Sequence, residues 1–181
     1  IKGLGTRNIN CGSDIGDSDV IEDIDLLPHP ERKKFWGVTE EDIKKIDVSY
    51  ICSIRGCPYR CNYCASPQHW KRDKTQYRSP ESIMKEMHYI KEHHWDSQKE
   101  FDYSASANVG PKSELKIKDN TSVYFVDDVF TVKKKRVKTL LRMMIDQKID
   151  MPWKCEARTD HLDDEICELM VQAGCIRVKL G

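Results

Sequence analysis

The fold of this chain is decided by Val48-Ser49-Tyr50-Ile51-Cys52-Ser53-Ile54-Arg55-Gly56-Cys57-Pro58-Tyr59-Arg60-Cys61-Asn62-Tyr63-Cys64. Residues 48–53 are rich in β-branched and aromatic side chains and predict a strand. A loop with the spacing C-x3-C-x2-C follows, and Gly56 leaves its backbone free to approach a bound group. Three thiolates this close can wrap one side of a cubane iron–sulfur cluster and leave one iron open. By the logic that separates catalytic from structural zinc, an open metal position marks a catalytic site. Two rival readings of the same loop exist. Structural zinc takes its ligands as two pairs or adds a histidine, and the nearest following one is His69. A closed electron-transfer cluster would need Cys52 as fourth ligand. Cys52 lies in the strand, five residues before Cys57, and is expected to point away from the loop.

A rhythm extends C-terminally from this strand. Ser79-Pro80 reads as a helix start, followed by Ile83, Met87 and Ile90 at helical spacing. Residues 122–126 form a β-rich run ending in Asp127-Asp128. Thr131 is the expected cap of a second helix, with the stripe Val137, Leu140, Leu141, Met144 and Ile145. Residues 152–158 predict a third strand. Leu162, Ile166, Leu169 and Met170 mark a third helix, with Gly174 as its C-cap, and residues 175–180 predict a fourth strand. This α/β alternation is the pattern of a parallel sheet with right-handed crossovers. Lys154, Glu156 and Arg158 share one face of the third strand, and Arg177 and Lys179 one face of the fourth. A parallel strand covered on both faces is normally apolar throughout, so these charges predict a polar interior for a charged ligand. The competing reading is an edge of the sheet with solvated charges.

Toward the N-terminus, residues 8–19 are loop-like, and Pro28 and Pro30 bar a regular helix around them. Residues 39–45 predict a short helix capped by Thr39, and residues 96–121 predict an insertion, a lid or a disordered stretch. Lys plus Arg and Asp plus Glu both total 30, so net charge names no partner, although a local basic patch keeps nucleic acid open. No apolar run is long enough to span a bilayer, and Ile1-Lys2-Gly3-Leu4-Gly5 is not a signal peptide, which predicts a cytoplasmic protein without membrane association. Of the eight cysteines, Cys57, Cys61 and Cys64 cluster, while Cys11, Cys52, Cys155, Cys167 and Cys175 are scattered. That distribution indicates metal or redox chemistry rather than a disulfide scaffold.

The cysteine loop after a first strand, with Tyr63 before the last cysteine, resembles the signature of the radical S-adenosylmethionine superfamily. Its cobalamin-linked and methylthiotransferase-like branches are also resembled by Arg55-Gly56-Cys57-Pro58-Tyr59-Arg60-Cys61-Asn62-Tyr63-Cys64, Arg78-Ser79-Pro80-Glu81, Tyr124-Phe125-Val126-Asp127-Asp128-Val129-Phe130, Ala157-Arg158-Thr159-Asp160 and Ala173-Gly174-Cys175. Asp25-Leu26-Leu27-Pro28-His29-Pro30 resembles the segment ahead of the barrel in those branches. The resemblance implies a partial (β/α)6 TIM-like barrel, of which residues 47–181 would be the N-terminal part, about four β/α units. Residues 1–46 would be a linker from an upstream cobalamin-type domain, and the chain a fragment lacking sequence at both ends. It also implies a [4Fe-4S] cluster held by Cys57, Cys61 and Cys64. The cluster would reductively cleave S-adenosylmethionine to a 5′-deoxyadenosyl radical, which abstracts hydrogen from a substrate. Tyr63 would pack near the adenine. Asp127 or Asp128 would stand where many members carry a Gly-Gly-Glu motif that meets the methionine amino group. Glu156, Arg158 or Lys179 would meet the ribose or the methionine carboxylate, the alternative being a salt-bridge network in the lumen. A flavodoxin- or ferredoxin-type reductant is the implied partner, and cobalamin on the upstream domain a further cofactor. The first reading is a cobalamin-linked methyltransferase or cyclase. A tRNA methylthiotransferase is second, because that class carries another cluster on three upstream cysteines and only Cys11 precedes the barrel. A non-catalytic electron carrier or zinc module is the rival from another class.

Three further features have bland readings. Lys133-Lys134-Lys135-Arg136 is expected to be a solvated run rather than a phosphate or RNA site, and His93-His94 a surface pair. Trp70, Trp95 and Trp153 are expected in core or interface positions.

Overall fold

The computed structural model describes residues 23–30, 32, 48–65, 75–93 and 122–181. In chain order the elements are β1 (Val48–Ile51), β2 (Ile54–Arg55), β3 (Gln76–Tyr77), α1 (Pro80–His93), β4 (Ser122–Phe125), α2 (Lys134–Asp146), β5 (Trp153–Ala157), α3 (Asp164–Gln172) and β6 (Cys175–Leu180). Four strands form one parallel sheet in the order β1-β4-β5-β6. Each strand lies beside its sequence neighbour and the order never reverses. A doubly wound sheet would switch direction, whereas unidirectional winding is how a β/α barrel begins. The sequence does not signal the second sheet, an antiparallel ladder of β2 with β3 that pairs Ile54 with Tyr77 and Arg55 with Gln76.

The helix boundaries follow from local chemistry. Ser79 Oγ accepts from the Ser82 amide at 3.1 Å, and Pro80 opens α1. Asp163 caps α3 by accepting from the Ile166 amide at 2.9 Å. Gly174 follows α3 with φ +87°, where a Cβ would come within 3.2 Å of the Met151 carbonyl oxygen. A side chain there would be strained twice over, by backbone and by contact. Helix α2 departs from expectation. Lys133 occupies its cap position with no side-chain cap bond, and Thr131 is instead fully buried with its hydroxyl 3.2 Å from His161 Nδ1.

The core lies between one face of the sheet and the three helices. Ile51, Phe125 and Cys155 stand in register on that face. They pack against Ile83, Met87 and Ile90 of α1, Val137, Leu140, Leu141 and Met144 of α2, and Ile166 and Met170 of α3. Trp153 is fully buried, edge-on to Phe125 at 5.6 Å, and its indole N–H donates to the Ala173 carbonyl at 2.8 Å. The partner for that N–H lets a large amphipathic ring sit in the core. On the opposite face one row runs Tyr50, Tyr124, Lys154, Arg177 across all four strands. The alternation read from the sequence therefore divides core from a polar face.

Residues 23–30 and Arg32 form a strap over the β1 edge. A 3-10 turn spans Ile24–Leu26, and the Asp25 carboxylate accepts from the Ser79 amide at 3.0 and 3.1 Å. Arg32 donates to the Tyr50 carbonyl at 2.7 Å and pairs with Glu86 at 2.5 Å. Arg78 meets the other oxygen of Glu86 at 2.5 Å, and Glu86 is 1% exposed. The strap thus satisfies a backbone group that an edge strand would leave unpaired. The expected loop over 8–19, helix over 39–45 and insertion over 96–121 fall outside the described residues, as do Cys11, His69, Trp70, His94 and Trp95. Among the described residues no helix is long and apolar enough to cross a membrane.

Candidate cluster and cofactor site

The cysteine loop leaves the sheet at the C-terminal end of β1, and its base is held from β4. Asp127 Oδ1 accepts from the Ser53 amide at 2.7 Å and the Ile54 amide at 2.8 Å, while Oδ2 takes the Ser53 hydroxyl at 2.5 Å. The Ser53 carbonyl accepts from the Arg78 amide at 3.0 Å and the Arg136 guanidinium at 2.9 Å. The β2–β3 ladder closes the neck of the loop, and Gly56 turns the chain out of it at φ +90°.

Two expectations change here. Asp127 is 2% exposed and its two oxygens accept from Ser53 and Ile54, so it anchors the base of the loop. Burial pushes its carboxyl above the usual range, against the pull of the Ser53 and Ile54 donors. The basic run is not uniformly solvated either. Arg136 points inward to Arg78 and Ser53, Lys133 lies 3.8 Å over the Tyr77 ring, and Lys134 pairs with Asp163 at 3.2 Å. His93 follows expectation as an exposed residue, stacked on Tyr89 at 4.4 Å.

Cys57 and Cys61 are half-buried and Cys64 is exposed, all as free thiols. Burial pushes the Cys57 thiol up, the Tyr59 amide pulls it down, and Asp128, Cys64 and Cys61 push it up further. Asp128 is exposed. Among the described residues no three side chains close around a single metal ion. A cubane is wider than an ion, and an open, thiol-only donor set on one loop suits it better than it suits zinc. Cys52 is engaged elsewhere: its thiol donates to the Ile54 carbonyl at 3.2 Å and lines a small cavity with Leu27, Pro28, Arg78 and Glu86. Tyr63 is 89% exposed beside the last cysteine.

The remaining candidate residues divide into two groups. Tyr124 donates to Glu156 Oε1 at 2.6 Å, and Lys179 meets the same oxygen at 2.9 Å. Burial would raise the Glu156 carboxyl, but Tyr124 and Lys179 outweigh it and hold it below the usual range. Tyr124 is in turn pushed up to about 12 by Glu156 and by burial. Tyr124, Glu156 and Lys179 thus form one hydrogen-bonded group on the polar face of the sheet. Arg158 makes a two-pronged pair with Asp160 at 3.0 and 2.9 Å, and its guanidinium lies 4.2 Å over the Tyr59 ring. The Tyr59 hydroxyl is hydrogen-bonded to His161 Nε2. Tyr59, His161 and Tyr124 were given no role from sequence, and Arg136 only that of a member of a solvated run. Each acts through a partner at least 32 positions away, which no local pattern encodes.

A parallel sheet wound in one direction, with a C-x3-C-x2-C loop at the C-terminal end of its first strand, defines a radical-enzyme barrel. The profile described as Radical SAM superfamily matches residues 51–181, and the chain belongs to that superfamily. It is a domain of an enzyme family whose cofactors are a [4Fe-4S] cluster and S-adenosylmethionine, and whose members need a reductant and a substrate. The chain is 22% identical over 165 residues to an uncharacterized methyltransferase of Pyrococcus horikoshii, covering 90% of this chain and 30% of the relative. It is 27% identical over 148 residues to an uncharacterized methyltransferase of Synechocystis, covering 77% and 23%. A tRNA-2-methylthio-N(6)-dimethylallyladenosine synthase of Azobacteroides pseudotrichonymphae matches at 37% over 59 residues, 32% of this chain and 13% of that one. The chain thus spans less than a third of the length of these relatives. Among solved structures, the radical S-adenosylmethionine methyltransferase TsrM of Kitasatospora setae superposes with TM-score 0.58 at 19% identity, over 80% of this chain and 24% of that one. That structure holds tryptophan and a S-adenosylmethionine analogue, and a second TsrM structure, at TM-score 0.57, holds cobalamin and a [4Fe-4S] cluster.

Proposed function

We propose that this chain is the cluster-bearing part of a radical S-adenosylmethionine methyltransferase of the cobalamin-linked kind. Cys57, Cys61 and Cys64 would hold the cluster, and Tyr63, Asp128 and the Glu156–Lys179 pair would face the cofactor. When bound, the cluster and S-adenosylmethionine supply a reductive cleavage and a radical that takes hydrogen from the substrate. The chain's own residues bind and orient. Asp128 offers a carboxylate to an ammonium group, Lys179 a cation to a carboxylate, and Tyr63 an exposed ring to a purine. The observation that carries the reading is three free thiols on one loop whose base is fixed by Asp127, at the strand ends where β/α barrels gather their chemistry. The two methyltransferase relatives and the TsrM likeness favour methyl transfer, with cobalamin on a domain upstream of residues 1–46. A flavodoxin- or ferredoxin-type protein in the cytoplasm would supply the electron.

Anaerobic reconstitution tests the ligand set. The protein should carry about four irons per chain. Cys61→Ala should abolish the cluster and Cys52→Ala should leave it intact. In a longer protein that carries the rest of the barrel, dithionite with S-adenosylmethionine should then yield 5′-deoxyadenosine. Equal loss of iron in Cys52→Ala would show a closed cluster and an electron carrier instead.

A further inference from the structure

We infer that the connection after β5 is a clasp for the cysteine loop, in which Arg158 and His161 hold Tyr59 from two sides and Thr131 fixes His161. Tyr59 lies between the first two cysteines, so fixing its ring fixes the backbone on which both are mounted. Within the loop the Cys64 amide donates to the Cys61 carbonyl at 3.0 Å, which shapes only the far end. The near end is tied down across 102 positions by the hydrogen bond between Tyr59 and His161.

Each contact restricts a different freedom. The Arg158 guanidinium, 4.2 Å over the ring, sets its plane, and its two hydrogen bonds to Asp160 keep the guanidinium from swinging away. His161, 8% exposed, sets the direction of the hydroxyl. Thr131 Oγ1, 3.2 Å from Nδ1, sets the rotation of the imidazole and is itself wholly buried. A neutral imidazole has one donor and one acceptor nitrogen, and both flanking hydroxyls can play either role, so the chain is satisfied in either direction. Burial holds His161 below its usual range, with Asp160 opposing and Arg158 adding, which favours that neutral form. A ligand loop held this way is ready for its cluster beforehand. Tyr59, Arg158 and His161 are positioning residues, acting on the cluster through the loop. For Arg158 this is a role other than a direct cofactor contact.

The inference rests on the cluster reading, and iron retention separates the two. Parent, Tyr59→Phe, His161→Leu and His161→Gln proteins would be reconstituted with iron and sulfide, and iron release to a chelator followed anaerobically. The midpoint potential of the cluster and the melting temperature of the metal-free proteins would be recorded alongside. Loss of such supporting contacts typically weakens metal holding by about 10- to 100-fold, so Tyr59→Phe and His161→Leu should release iron faster by roughly that factor. His161→Gln, whose amide reaches the position of Nε2, should largely restore retention. The midpoint potential should shift in Tyr59→Phe while metal-free melting changes little. Iron release at the parent rate in both variants would overturn the clasp and leave the cluster reading standing. So would faster release that tracks metal-free melting with no rescue by Gln. A parent protein that takes up no cluster would remove both.

Discussion

Asp127 grips Ser53 twice, by its amide at 2.7 Å and its hydroxyl at 2.5 Å, and so converts the end of β4 into the footing of a loop that leaves β1. Asp127→Ala would strand two buried amides and a hydroxyl. A cost on the order of 3 kcal/mol is expected in chemical denaturation. Asp127→Asn keeps an oxygen for both amides and should cost clearly less. Equal costs would show that charge, rather than acceptor geometry, matters at this position.

Glu86 is enclosed by Arg32 at 2.5 Å and Arg78 at 2.5 Å. Removing the shared anion leaves two guanidinium groups facing each other at a nearly dry site. Glu86→Ala should therefore destabilise the protein by about 3–5 kcal/mol. A triple replacement of Arg32, Arg78 and Glu86 by apolar residues of similar volume should recover most of that loss. Urea midpoints of the single and triple variants decide the matter.

Tyr124 and Glu156 share a proton donor and its acceptor 2.6 Å apart. The phenol should titrate at about 12, and Glu156→Gln should bring it back toward its ordinary range, both read from the ultraviolet absorbance of phenolate. The sign for stability follows from the raised value. The bond contributes fully below the unfolded pKa of about 10 and is lost as pH rises through the folded one. The alkaline limb of a stability profile should flatten in the Gln variant.

Tyr63 is 89% exposed, and its replacement touches nothing in the core. Tyr63→Ala should leave unfolding unchanged within about 0.5 kcal/mol. If the ring stacks on adenine, S-adenosylmethionine should bind more weakly by roughly 0.5–1.5 kcal/mol, about two- to tenfold in Kd. Unchanged affinity, measured calorimetrically on the cluster-loaded protein, would remove Tyr63 from the cofactor site.

Much of the fold was legible because burial is periodic. Ile83, Met87 and Ile90 repeat as a helix must, and Trp153, Cys155 and Ala157 alternate with Lys154 and Glu156 as a strand must. The thiol spacing was legible because all three cysteines belong to one short loop. The division of labour between Asp127 and Asp128 was not, since adjacent identical residues carry no mark of which one turns inward. Thr131 carried a correct local signal for capping, but the nearby His161 ring claimed its hydroxyl. Arg136 looked like its lysine neighbours because a run of like charges hides the member whose helical position faces Ser53. What escaped were contacts between βα connections, which are written in geometry rather than in spacing.

The bond between Tyr59 and His161 also sets a timetable for biosynthesis. The three loop cysteines leave the ribosome first, but Asp127 follows Ser53 by 74 positions and His161 follows Tyr59 by 102. At ordinary elongation speeds of about 5–20 residues per second, the loop waits roughly five to twenty seconds for its far anchor. During that interval the thiols are synthesised but unsupported, open to oxidation or to a wrong metal. Stable loading of iron and sulfide at this loop should accordingly await the synthesis of residue 161, with nascent chains halted before it retaining iron poorly and chains halted well beyond it retaining it well.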